Sequence, residues 1–161
     1  MREQGRARLG LLLAMTLSLT MVTVAWASEV FRLEIGPAVA GGGGGGLKLK
    51  NAVLMVRPRA CDDPASVLIR GSAEGMVNGV RQSVALTLIA MPTAGVYAVT
   101  QQWGNGTWVL ALAATCPARR ATAGALVPLG GAAGFHRDRS QFLASAPSAV
   151  EIEKSLAAMG S

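Results

Sequence analysis

Gly95-Val96-Tyr97-Ala98-Val99 leads through Trp103 and Gly104-Asn105-Gly106 into Thr107-Trp108-Val109-Leu110-Ala111-Leu112. Tyr97 and Val99 stand two apart, as do Trp108, Leu110 and Leu112, and side chains two apart share one face of a β-strand. With a glycine-flanked asparagine between them, the two runs predict an antiparallel hairpin. Tyr97, Trp103 and Trp108 are its candidate core aromatics, large enough to cover the core and fix the register.

Outward from this stretch the period of two persists from Leu47 to Leu129 in short runs broken by Gly, Pro and Asn. Leu47, Leu49 and Ala52 to Val56 form one run, with Lys48 and Lys50 on its wet face. A turn region from Arg57-Pro58 to Pro64 separates it from Val67-Leu68-Ile69, which continues toward Met76-Val77. Asn78-Gly79 then predicts a two-residue hairpin, because both residues tolerate positive φ. The return strand places Val84, Leu86 and Leu88 on one face and ends at Met91-Pro92. Further strands are expected over Val30 to Ile35 and Ala125 to Leu129. About seven short strands without βαβ alternation predict an all-β, immunoglobulin-like antiparallel sandwich. Past Pro147, the Ser148/Glu151 spacing is that of a capping box, and Ala149, Ile152, Leu156 and Met159 lie on one helical stripe. A short C-terminal helix follows, either docked on an edge or end of the sandwich or offered to a partner.

The chain has 161 residues, 51% hydrophobic and 15% charged, which suits one small packed domain and excludes a large multidomain enzyme. Its net charge is +6, but Arg2, Arg6, Arg8 and Glu3 fall in the first nine residues. Those arginines, the apolar run Leu9 to Val24 and Ala25-Trp26-Ala27 have the order of a secretory signal peptide cleaved before Ser28. The competing reading is a retained anchor, since Leu9 to Ala27 just reaches the length of a bilayer span. The expected organisation is a signal peptide over 1–27, an N-terminal strand and polyglycine loop over 28–46, the sandwich over 47–134, and a C-terminal loop and helix over 135–161. Export to the periplasm or medium makes Cys61 and Cys116 an expected disulfide, worth ~4 kcal/mol for a loop of that length. Two metal ligands are the alternative, without the C-x-x-C or nearby His such sites use.

Gly41 to Gly46 read as a flexible loop. They satisfy G-x-G-x-x-G trivially, yet Leu47-Lys48-Leu49-Lys50 begins a strand where a phosphate-binding helix is required. His136 is the only histidine, so any triad must use it, and Gly71-Ser72-Ala73-Glu74-Gly75 places its serine one position early for a nucleophile elbow. The carboxylates, among them Asp62, Asp63, Glu74, Glu151 and Glu153, suggest no facing pair. Met55, Met76, Met91 and Met159 with His136 are the residues a copper site would draw on, though they are scattered singly among apolar positions. Basic residues are spread along the chain without the groove nucleic acid requires; an anionic envelope surface is a milder match. Asn105-Gly106-Thr107 is formally a glycosylation sequon.

The Gly95-x-Tyr97-x-Val99 strand, Trp103 and the Gly106-Thr107-Trp108-x-Leu110-x-Leu112 strand, behind a signal peptide, resemble the end of an immunoglobulin-like sandwich. They are similar to small extracytoplasmic bacterial domains of the YtkA-like and CopC-like kind. The resemblance implies an accessory or binding domain. Some such proteins handle copper, but the N-terminal His and Met-rich ligands expected of them are missing here, so no ligand position is carried over. The expectation is therefore an exported, non-enzymatic envelope accessory or interaction module with no cofactor, no nucleic acid and a protein or envelope partner. The alternative is a periplasmic copper or other metal-binding domain.

Overall fold

The computed structural model describes residues 29–38, 49, 51–130 and 134–160. The expected signal peptide over 1–27, Gly41 to Gly46, Lys48 and Lys50 lie outside them. Among the described residues no helix is long and apolar enough to cross a membrane.

Ten strands and one helix make up the described chain: β1 (Arg32–Pro37), β2 (Ala52–Arg59), β3 (Leu68–Val77), β4 (Val80–Ala85), β5 (Leu88–Ala90), β6 (Tyr97–Thr100), β7 (Thr107–Cys116), β8 (Ala121–Gly130), β9 (Gly134–Phe135), β10 (Gln141–Leu143) and α1 (Ala149–Ala157). All pairings are antiparallel, in two sheets. The first runs β1-β2-β6-β5; the second runs β10-β8-β7-β3-β4, with β9 also on β8. In immunoglobulin lettering the first is A-B-E-D and β8-β7-β3-β4 is G-F-C-C′. The all-β sandwich expected from the period of two is the fold observed.

The core lies between the sheets. Leu33 and Ile35 of β1, Leu54 and Val56 of β2, and Val99 of β6 face Ala73 of β3, Trp108, Leu110 and Leu112 of β7, and Ala123, Ala125 and Val127 of β8, all buried. On β7 the other parity is buried too. Val109 and Ala111 pack with Leu126 beneath Leu156 of α1, so the second sheet is a middle layer. This is why Trp108 to Leu112 read as a continuous apolar run: period two fades when both faces of a strand are covered.

Several local expectations need correction. The runs around Tyr97 and Trp108 do not pair with each other: β6 lies between β2 and β5, and β7 between β3 and β8. Residues 101–106 are an arch from one sheet to the other. The return strand after Asn78-Gly79 likewise breaks at Leu86-Thr87, β4 staying in the second sheet and β5 joining the first. Pro58 lies inside β2, opposite Leu33 and beyond Tyr97, the last residue of β6 to reach β2, where a missing N–H costs no ladder bond. β8 starts four residues before Ala125, over small residues that carry little pattern. The region after Gly134 adds two short strands, and β1 is an integral edge of the first sheet.

The Asn78-Gly79 hairpin is as expected, with φ of 50° and 77° and Val77 paired to Val80. So is the helix. The Ser148 side chain accepts from Glu151 N, and the Glu151 carboxylate accepts from Ser148 N. Instead of closing an edge or end, α1 crosses the outer face of the second sheet over β7, β8 and β3. Leu156, Ile152 and Met159 pack there, while Ala149 of the anticipated stripe is exposed.

Candidate functional site

Cys61, just beyond β2, and Cys116, at the end of β7, form a disulfide with Cα atoms 6.0 Å apart. It joins the two sheets at one end of the sandwich. Beside it Arg119 donates from Nε (3.2 Å) and Nη2 (2.8 Å) to Asp62 Oδ1, and from Nη1 to Glu29 O (3.0 Å). The Arg119 hydrogen bond, and then its charge, hold the Asp62 carboxyl below the ordinary aspartate range.

The three aromatics take different places. Trp108 is buried with its indole flat over Gly75, where a Cβ would fall 2.3 Å from Cε3. Among the described residues its Nε1 has no hydrogen-bond partner. Trp103 packs on the core from the arch, partly buried. Tyr97 is half-buried on β6, opposite Val56 and Ala90.

On the outer face of the second sheet, Glu74 is 9% exposed. Its carboxylate accepts from Ser72 Oγ and Ser83 Oγ (2.7 Å) and pairs with Arg81 Nη2 (3.0 Å), whose Nε reaches Glu153 Oε1 on α1 (2.9 Å). This network fastens the helix to β3 and β4. The Gly71 to Gly75 segment, read for a nucleophile elbow, thus puts Ser72 and Glu74 two apart on one strand face, with the serine proton committed to the carboxylate.

The outer face of the first sheet carries Arg32 and Glu34 of β1 beside Arg59 and Arg57 of β2, then Met55, Ala98 and Ile89. Arg59 pairs with Glu34 and Arg32 with Glu29. The Arg59 hydrogen bond, opposed by burial and aided by the charges of Arg59, Arg57 and Arg137, holds Glu34 below the ordinary glutamate range.

At the neighbouring edge, a cleft of about 410 Å³ opens between the sheets, lined by Pro37, Ala38, Ala52, Val53, Gly134, Phe135 and Arg137. No motif announced it, because its walls come from β1, β2 and β9. His136, the one candidate triad histidine, packs its ring against Gly130, where a Cβ would meet Nε2 at 2.7 Å. The candidate thioethers stand apart: Met55 on the outer face of the first sheet, Met76 on that of the second, Met91 just past β5, and Met159 just past α1 against the Val109, Leu126 and Leu156 cluster. Among the described residues no three of His, Cys, Asp and Glu gather as a metal site.

Comparison of the chain with protein-family models, with curated proteins and with solved structures finds no match.

Proposed function

We propose that this chain is an exported, non-enzymatic interaction module, acting in the periplasm or medium as an accessory of the envelope through the surface of its immunoglobulin-like sandwich. The observation that carries the reading is the inequality of the two outer faces. The second sheet's face is occupied by the protein's own helix, through Leu156, Ile152 and the Arg81–Glu153 pair. On the outer face of the first sheet, away from α1, Arg32, Arg57 and Arg59 stand exposed beside half-buried Met55 and Ile89. A rigid face with apolar and arginine side chains side by side has the make-up of a protein-contact surface, where arginine is enriched. The inter-sheet disulfide suits an oxidising compartment.

A photo-crosslinking residue at Met55, compared with one at exposed Val150 on α1, tests the reading in cells. The expected result is a discrete adduct in the exported fraction from position 55 and none from position 150, on a protein whose N-terminus is Ser28. Equal labelling from both positions, or retention in the cytoplasm, would overturn it.

A further inference from the structure

The edge cleft differs from the outer faces in being concave and shared by both sheets. Pro37, Ala38, Ala52 and Val53 supply the wall of the first sheet. Phe135 belongs to β9, which pairs with β8 of the second sheet and also touches β2. Its volume, about 410 Å³, lies within the range of small-molecule sites. Arg137 is the one charged side chain of the lining, among apolar side chains and exposed backbone polar groups; it is exposed and in no ion pair among the described residues.

The backbone that carries Arg137 is held by its surroundings. His136 N–H donates to Pro128 O (2.8 Å), Ser140 N–H closes the turn on Arg137 O (3.2 Å), and Ser140 Oγ donates to His136 O (2.9 Å). With the His136 ring seated on Gly130, the 3-10 turn Arg137–Arg139 has a fixed origin on β8. Nearby, Glu34 is paired with Arg59 and shared electrostatically with Arg57 and Arg137, and among the described residues neither of these two arginines has an ion pair of its own.

From this geometry we infer that the cleft binds an amphiphilic anion. The apolar body lies between Val53 and Phe135, and a carboxylate or phosphate head pairs with the Arg137 guanidinium, whose fork suits either group. This deepens the interaction reading by giving the module a small ligand, and it stands or falls separately from the Met55 crosslink.

Isothermal titration of the mature, disulfide-bonded protein with decanoate, decyl phosphate and decanol, each below its aggregation limit, tests the assignment. The anions are expected to bind at least about tenfold more tightly than decanol, the scale of a charge-assisted hydrogen bond. Arg137→Gln should bring the anions to the decanol level and leave decanol unchanged. Val53→Trp, which fills the cleft, should remove all three. The ratio of decanoate to decyl phosphate identifies the head group. Equal binding of decanol and decanoate, anion binding that survives Arg137→Gln, or no heat from any probe would overturn the proposal. Arg137 is exposed, so its variant decides the matter even if Val53→Trp does not fold.

Discussion

Asn78-Gly79 and Gly104-Asn105-Gly106 are both short corners of glycine and asparagine, yet the first reverses the chain within one sheet and the second ends an arch between sheets. At the first corner two successive residues take positive φ and the ladder resumes at once, Val77 opposite Val80. At the second, Gly106 has φ of 147° and is pressed against β3, a Cβ there falling 2.7 Å from Met76 O. Its strand, β7, continues antiparallel to β3, with Thr107 opposite Met76 and Trp108 opposite Gly75. The contrast teaches that a two-residue turn dictates its own pairing through backbone conformation, whereas an arch is decided by what its far end packs on.

If so, the arch depends on Trp108 more than on any loop residue. Trp108→Ala strips the cover from Gly75 and leaves a large void between the sheets, so a loss of about 3–5 kcal/mol is expected in denaturant unfolding. A loss below about 1 kcal/mol would mean that the loop itself steers β7. The next largest effect belongs to Gln102. Its side chain bridges both sheet-to-sheet crossings: Thr87 N–H donates to Oε1 (2.8 Å), and Nε2 donates to Thr87 O (2.9 Å) and Thr100 O (3.3 Å). Gln102→Ala removes these bonds at an exposed site, for an expected cost of about 1–2 kcal/mol, with faster amide exchange confined to Thr87 and its neighbours. Gly79→Ala tests the other corner. A Cβ meets nothing within 4 Å there, so only the positive φ opposes it, and about 1 kcal/mol is expected. A larger loss from Gly79→Ala than from Trp108→Ala would reverse the comparison.

The same division explains what was legible in the sequence. Asn78-Gly79 and the Ser148/Glu151 cap were readable because each is complete within four residues. The sandwich class was readable because alternation at Tyr97/Val99, Trp108/Leu110/Leu112 and Val84/Leu86/Leu88 reports strands with one face toward a core. The partner of each strand was not. Tyr97 and Trp108 are eleven positions apart, at a spacing a hairpin also satisfies, and nothing local says that Gln102 will reach back to Thr87. The edge cleft was invisible for the same reason: Val53 and Phe135 have no sequence relation, and Arg137 is one of many basic residues spread along the chain. His136 was prominent as the sole histidine, while its role is to seat a turn on Gly130.

Two carboxylates carry the comparison down to its smallest effect. Glu151 is held below the ordinary glutamate range by hydrogen bonds from Ser148, backbone first and then side chain, a contact spanning three residues. Asp62 is lowered by Arg119, across 57 residues. For both, the folded pKa lies below the unfolded one. Each contribution is therefore fully present above the unfolded values near about 4 and is lost as pH falls through the folded value. Both groups lie at the surface, so the changes should be small and salt-sensitive. The two nevertheless separate by place. Glu151→Gln should flatten the acid response of amide exchange in α1 alone. Asp62→Asn should flatten it at the disulfide end, where β2 and β7 are tied, and leave α1 untouched. A single shared response from both variants would show that the helix and the sandwich open together below pH 4, and that the cap is no more local than the arch.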